Sequence, residues 1–71
     1  MDPDVAWQDM LRAVADRDWE EARERAGALL AWLGKGGFPP ITHPESKLPK
    51  SWHHSMTYFA CHLVLGWRKK R

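Results

Sequence analysis

A run of helix-breaking residues between two helical patterns is the feature that most limits how this chain can fold. Residues 33–44 read LGKGGFPPITHP. Glycine weakens a helix, and proline is excluded from its interior. Gly34 follows the last apolar residue of the preceding pattern, so it fits the left-handed position that ends a helix. The sequence therefore predicts helices on both sides of a non-helical connection over residues 34–50.

Two helices are predicted before this connection. Asp2 fits an N-cap and Pro3 fits the first helical position, so helix 1 is predicted over about 3–16. Asp18 fits the N-cap of helix 2, which is predicted over about 19–33. Apolar residues recur with helical spacing in both segments, which indicates one buried face on each. The predicted core residues of the two helices are Trp7, Leu11, Val14, Trp19, Ala22, Leu29, Leu30 and Leu33.

A third helix, predicted over about 51–67, has an unusual composition. The residues predicted to face the core are Trp52, Met56, Phe59, Ala60, Leu63, Val64 and Trp67. Between Ser51 and Trp67 no residue carries a formal charge, although a helix face that stays in water usually carries charged side chains. The candidate interaction surface is therefore the opposite face of this helix, formed by His54, Tyr58, Cys61, His62 and Leu65.

The connection is predicted to be a Gly/Pro-rich strap that packs against the helices. Phe38, Ile41 and Leu48 recur along it, with Phe38 predicted to be buried, and Trp32 is predicted to be packed by it. Connections of this length are either functional or packed by their own side chains, and both interpretations stay open. The string GKGG lacks the GxxxxGK-Ser/Thr pattern and the preceding strand of a phosphate loop, so no nucleotide is expected.

Residues 5–33 resemble a single helical hairpin of the tetratricopeptide type. The resemblance is carried by the string DWEEA at 18–22 and by the leucine pair at 29–30, which look like the second helix of such a unit. The first helix departs from the pattern, with Ala13 in place of an aromatic residue and Met10 in place of a glycine. The resemblance implies an antiparallel hairpin without a peptide-binding groove, because stacked repeats need about three copies. The string WLGKGGFPP is also similar to short uncharacterised bacterial helical proteins, a likeness that implies no activity.

The histidines and the single cysteine are not expected to form a catalytic or metal site. His54 and His62 lie about 12 Å apart along a helix, whereas helical metal pairs need a spacing of three or four residues. Cys61 shares a face with His54 and Tyr58, but an isolated helix face has no pocket, and a free cysteine usually packs as a small hydrophobe. We therefore expect no enzyme activity, no metal and no cofactor.

Charge is distributed unevenly along the chain. Residues 1–33 carry a net charge of −4, and residues 34–71 carry a net charge of +6. The two halves are expected to attract each other within one fold, and the alternatives are head-to-tail association of copies or a basic end for an acidic partner. The basic tail can complement the end of helix 3 or contact nucleic-acid phosphates. It consists of Arg68, Lys69, Lys70 and Arg71.

Together these features predict a single all-α domain over residues 1–71, with three helices. The longest mostly apolar run, residues 56–67, spans about 18 Å as a helix and falls short of a ~30 Å hydrocarbon core, so no membrane span is expected. The string MDPDV lacks the apolar core of a signal peptide, so the expected location is the cytoplasm. The predicted function is a non-enzymatic protein-interaction module that associates with itself or a protein partner through helix 3. The alternative is a nucleic-acid-binding accessory protein that uses the basic tail.

Overall fold

Three α-helices, joined by one short turn and one long connection, make up the described part of the chain. The computed structural model describes residues 1–45 and 47–66, so the predicted basic tail lies outside the described residues. Within these two ranges all regular secondary structure is helical, which confirms the predicted all-α fold. The helices are α1 (Pro3–Ala15), α2 (Trp19–Gly34) and α3 (Lys50–Gly66).

The first two helices begin at the predicted N-caps. Asp2 Oδ1 accepts hydrogen bonds from the backbone N–H groups of Asp4, at 3.1 Å, and Val5, at 3.4 Å. Asp18 Oδ1 accepts from the N–H of Glu21 at 3.3 Å. These bonds satisfy N–H groups that have no partner within the first turn of a helix.

Both α1 and α2 end in a Schellman motif, in which two backbone N–H groups beyond the helix turn back to its last carbonyls. After α1, the N–H of Arg17 donates to the carbonyl of Val14 at 3.0 Å, and the N–H of Asp18 donates to that of Ala13 at 2.8 Å. Arg17 holds the left-handed position with a φ of 60°. A side chain with a Cβ is strained in this conformation.

The motif that ends α2 has glycine at the left-handed position. Gly36, with a φ of 86°, donates to the carbonyl of Leu33, and Gly37 donates to that of Trp32, both at 3.0 Å. The prediction that Gly34 holds this position is wrong, because α2 continues through Gly34. The residue that follows the left-handed position must be glycine here, because a Cβ on Gly37 would overlap the Trp32 indole. Gly36 is followed by a glycine and Gly34 is not, so Gly37 decides that the left-handed position is Gly36 rather than Gly34.

Replacing Arg17 by glycine is expected to raise the free energy of unfolding by up to about 1 kcal/mol. Glycine removes left-handed strain of ~1–2 kcal/mol and adds a smaller entropy cost to folding. The matched variant Gly36→Ala introduces the same strain and should lower the free energy of unfolding by about 1–2 kcal/mol. Urea denaturation measures both variants. If Arg17→Gly destabilises the chain as much as Gly36→Ala does, the conformation assigned to Arg17 is wrong.

The core is shared by all three helices, with α2 in contact with both α1 and α3. Met10 on α1 also meets α3, since the Cys61 thiol lies 4.0 Å from the Met10 sulfur. Most of the buried side chains are small, which lets the helix axes approach closely. The core cluster consists of Ala6, Trp7, Met10, Ala13, Ala22, Ala26, Leu29, Cys61 and Val64.

Four residues predicted to lie in the core are at the surface. Leu11, Trp52, Phe59 and Leu63 have exposed fractions of 42%, 46%, 68% and 51%. On α1 the buried residues are Pro3, Ala6, Trp7, Met10 and Ala13, so the inner face is shifted away from Leu11. The remaining predicted core residues that the structure describes are buried (Trp7, Ala22, Leu29, Leu33 and Val64) or half-buried (Val14, Trp19, Leu30, Met56 and Ala60), and Trp67 lies outside the described residues.

The connection from 35 to 49 contacts each helix through hydrogen bonds. The Trp32 indole N–H donates to the carbonyl of Phe38 at 2.8 Å, and the N–H of Ile41 donates to Asp4 Oδ1 at 2.8 Å. Trp32 is thus packed by the connection, as predicted. Phe38 was predicted to be buried and is 56% exposed, because its ring meets the Trp32 ring edge to face, 5.8 Å between centroids, on the outside of the helices. Among the described residues of this stretch, Pro40 is the one that is fully buried.

Candidate interaction surface on the third helix

One side of α3 is buried, and it differs from the side that the sequence predicted. The buried residues are His53, Thr57, Cys61 and Val64, which form one stripe at about 100° per residue. Because α3 carries apolar or aromatic side chains on every side, its periodicity does not define a unique inner face. The side chains that pack inward are mostly small, and the larger ones remain outside.

The larger apolar side chains of α3 form a second stripe, here called the outer stripe. It consists of Trp52, Met56, Phe59 and Leu63, separated by four, three and four positions. Trp52 is 46% exposed, Phe59 and Leu63 are exposed still further, and Met56 is half-buried. Alternation of three and four positions is the spacing of the contact seam in paired helices. The outer stripe is therefore an unpartnered apolar face within the described part of the chain.

The interaction surface predicted from the sequence lies on the other exposed side of α3, with one correction. His54, Tyr58, His62 and Leu65 are exposed, and the Tyr58 and His62 rings meet at a centroid distance of 4.4 Å. Cys61 is fully buried and cannot belong to this surface. Cys61 is four positions after Thr57 and three before Val64. At about 100° per residue it therefore shares their inward-facing side of α3. The four exposed residues are here called the histidine side.

Two open grooves run along the exposed sides of α3. The first groove has a volume of about 470 Å³ and lies at Ser55, between the outer stripe and the histidine side. Trp52 and Phe59 line one wall, and Tyr58 lines the other. The second, about 290 Å³, lies between α2 and α3 and is lined by Leu33 together with Tyr58 and His62. Each groove can receive side chains from a partner that lies along α3.

Cys61 is in no position to act as a nucleophile. Burial raises the pKa of the Cys61 thiol from 9.0 to about 11, so at neutral pH the group is the unreactive thiol rather than the thiolate. Its sulfur faces the Met10 sulfur in the core. His54 and Tyr58, which share its predicted face, are exposed on another side of α3. The structure does not bring these three residues together as a catalytic group.

The raised pKa of Cys61 is expected to make the folded chain less stable at alkaline pH. The thiol holds its proton more tightly in the folded state, so its stabilising effect is complete below about pH 9 and is lost as the pH rises from about 9 to about 11. The loss should be on the order of 2 kcal/mol. Urea denaturation at pH 8 and pH 10.5 measures this loss in the wild type. The Cys61→Ala variant, which lacks the titrating group, is measured in the same way as the control. Equal losses in both proteins would contradict this assignment.

His53 is a buried polar residue that the sequence analysis did not single out. The backbone N–H of Thr42 donates to His53 Nδ1 at 3.0 Å, and Thr42 Oγ1 lies 2.9 Å from the same nitrogen. A backbone N–H can only donate, so Nδ1 is the acceptor. The bond ties the connection to the inward-facing side of α3. Its partners are eleven positions apart, which no local sequence pattern reveals.

A cleft between α1 and α2 carries charged side chains that pair with one another. Arg25 Nε donates to Glu21 Oε2 at 2.9 Å, and Arg25 Nη2 lies 3.9 Å from Asp9 Oδ2. The hydrogen bond to Glu21 raises the pKa of Arg25 above its usual value. Arg12 approaches the other oxygen of Asp9 at 3.7 Å. These pairs are exposed to water and contribute little to stability, and they leave the cleft with its charges partly compensated.

Metal-binding clusters and membrane-spanning helices are both absent from residues 1–45 and 47–66. No three His, Cys, Asp or Glu side chains in these ranges come together in a way that would hold a metal ion. None of the described helices combines the length and the apolar character needed to cross a bilayer.

Comparison with models of known protein families, with curated proteins and with solved structures gives no significant match. The resemblance of residues 5–33 to a tetratricopeptide hairpin therefore stays a prediction.

Proposed function

We propose that this chain is a non-enzymatic protein-interaction module whose contact surface is the outer stripe of α3. The observation that carries the proposal is an exposed row of large apolar side chains on a helix without a charged residue from Ser51 to Gly66. A helix that is apolar on all sides is typically buried on all sides. Among residues 1–45 and 47–66, the rest of the chain covers only one side of α3.

The composition of the outer stripe supports a contact with protein. The centres of protein interfaces are depleted of charged residues and enriched in aromatic residues and methionine. Trp52, Met56 and Phe59 are residues of these types, and they neighbour one another along the same side of α3. Isolated apolar residues are normal at a protein surface, whereas a contiguous row marks a binding surface.

The kind of partner that fits this surface is another helix with an apolar face. The four-three-four spacing matches the contact row of a second helix that runs along α3. Ser55 has a small side chain at the bottom of the first groove, where it leaves space for a side chain of the partner. Trp52 and Phe59 on the groove wall are well placed to act as anchors, since large aromatic residues dominate interface energetics.

We further propose that the connection serves as a strap that presents this surface. Its hydrogen bonds to Trp32, Asp4 and His53 hold it against all three helices. The bond to His53 keeps the small inner residues of α3 in the core and the outer stripe in solvent. The cytoplasm is the proposed location, because a single buried thiol suits a compartment in which disulfides are rare.

Site-specific photocrosslinking in the cells that produce the protein tests the proposal. The photoreactive residue p-benzoyl-phenylalanine replaces Phe59 in one variant and Phe38 in the control. Both positions are exposed phenylalanines, but Phe38 lies on the connection. We expect protein adducts from position 59 that are absent or much weaker from position 38. No protein adduct at position 59, or equal adducts from both positions, would contradict a contact surface on α3.

The alternative function, nucleic-acid binding through Arg68, Lys69, Lys70 and Arg71, stays a prediction from the sequence. It differs from the proposed function in its response to salt. Binding through phosphate contacts weakens steeply as salt rises, whereas contact through an uncharged apolar stripe does not. Nucleic-acid binding that disappears on removal of the four tail residues would support the alternative.

A further inference from the structure

We infer that the partner of the outer stripe is a second copy of this chain, with the two α3 helices packed antiparallel across a two-fold axis. The inference rests on the proposed function and names the partner of the same surface. It is carried by the symmetry of the stripe, by its lack of charge and by the sizes of its side chains.

The spacing of the outer stripe reads the same in both directions along α3. Trp52 and Leu63 lie equally far from the midpoint between Thr57 and Tyr58, and Met56 and Phe59 are equally far from that midpoint as well. A two-fold axis at this point places Trp52 of one copy against Leu63 of the other. It also places Met56 against Phe59, so each member of the stripe meets a counterpart without a shift of register.

Side-chain size favours the antiparallel arrangement over the parallel one. In an antiparallel pair, each aromatic residue of the stripe meets an aliphatic one. In a parallel pair, Trp52 meets Trp52 and Phe59 meets Phe59 at the same level. Close packing between helices is easier when large side chains face smaller ones.

The absence of charge makes the surface compatible with itself. A two-fold contact brings the same patch onto both sides, so any charge near the axis would face its own copy. The residues beside the stripe near the axis are Ser55 and Ala60, and neither carries a charge. The charged residue of α3, Lys50, lies at the first position of the helix, away from the axis.

The exposed area of the stripe indicates a weak dimer. The exposed fractions of Trp52 and Phe59 correspond to on the order of 200 Å² of aromatic surface per copy. With its neighbours, a single pair of helices remains near or below the ~1,200 Å² that marks the lower limit of stable interfaces. We therefore expect reversible association that requires high protein concentration rather than a permanent dimer.

Sedimentation equilibrium of the full chain, from about 10 μM to about 1 mM, tests the inference with two matched variants within one turn of α3, on different sides of the helix. Leu63→Glu places a charge in the outer stripe, and Leu65→Glu places the same charge on the histidine side. We expect a monomer–dimer equilibrium in the wild type, a dissociation constant raised at least tenfold by Leu63→Glu, and a change of less than threefold by Leu65→Glu. Circular dichroism checks that both variants stay helical, and Phe59→Gln serves as the stripe variant if Leu63→Glu does not fold.

A monomer at about 1 mM would overturn the inference. So would an equal or larger effect of Leu65→Glu, since that result would place the contact on the histidine side.

Spin labels on the dimer test the antiparallel orientation. Ser51→Cys and His54→Cys, both outside the stripe, are labelled separately, while native Cys61 is buried and stays unlabelled in the folded chain. In the antiparallel pair, two labels at position 51 lie about 20 Å apart along the axis and two at position 54 about 10 Å apart. Equal distances at the two positions would mean a parallel pair and would overturn the assigned geometry.

The proposal of a second copy and the proposal of an interaction module can be disproved separately. Adducts from position 59 that contain other proteins, combined with a monomeric purified chain, would disprove the second copy and leave the interaction module standing. No adducts from position 59 and no dimer in solution would reject both.

Discussion

Replacing Leu29 by alanine is expected to lower the free energy of unfolding by about 2–5 kcal/mol. Leu29 has no exposed surface and packs in the core cluster on the helix that contacts both others. Truncation removes buried methyl groups and leaves a cavity that the surrounding alanines are too small to fill. A domain of this length has only a few kcal/mol of stability in total, so the variant should be largely unfolded at moderate temperature.

The matched control is Phe59→Ala. Replacing a buried phenylalanine by alanine would lower the free energy of unfolding by about 3–5 kcal/mol. Phe59 is largely exposed, so we expect a loss below about 1 kcal/mol. Urea denaturation should be done at a few micromolar protein, where self-association does not add to the apparent stability. If Phe59→Ala is as damaging as Leu29→Ala, the orientation of α3 described here is wrong.

Replacing His53 by alanine is expected to lower the free energy of unfolding by about 2–4 kcal/mol. The loss has two parts, the cavity left by a buried ring and the unpaired N–H of Thr42, which had donated to Nδ1. Hydrogen exchange at the Thr42 amide gives an independent measurement. The amide should lose most of its protection in the variant, because its acceptor is gone.

His54→Ala is the control for this prediction, because it removes an adjacent ring of the same kind from an exposed position. We expect a loss below about 0.5 kcal/mol and unchanged exchange at Thr42. If the two histidine variants are equally stable, the hydrogen bond to Thr42 does not hold the connection.

The starts of α1 and α2 and the all-α class follow from the sequence because their signals are local. Asp2 and Asp18 accept hydrogen bonds from N–H groups two or three residues away, so the pattern and the bond occupy the same short stretch. The end of α2 was harder to place. Gly34 and Gly36 both suit a left-handed conformation, and the choice between them depends on the room that Gly37 leaves for Trp32.

The orientation of α3 could not be predicted in the same way. Its stripes at Trp52–Leu63 and at His53–Val64 have the same helical period, and the larger residues of the first were the better core candidates by hydrophobicity. The structure buries the second, where Thr57 and Cys61 allow close approach and His53 bonds to Thr42 on the connection. Those contacts join distant parts of the chain. Of the predicted surface residues, His54, Tyr58, His62 and Leu65 are exposed and Cys61 is buried, and the exposure of the outer stripe was not predicted.

The length of the connection between α2 and α3 also affects how the chain folds. The turn between α1 and α2 covers only residues 16–18, whereas the contact between Met10 and Cys61 joins positions 51 apart. Because closing a long loop costs more entropy than closing a short one, we expect the α1–α2 hairpin to form before α3 docks. The connection, at up to about 50 Å when extended, is long enough for α3 to reach the hairpin of a neighbouring chain. We therefore expect refolding at high protein concentration to favour exchange of α3 between chains, and dilution to favour the closed monomer.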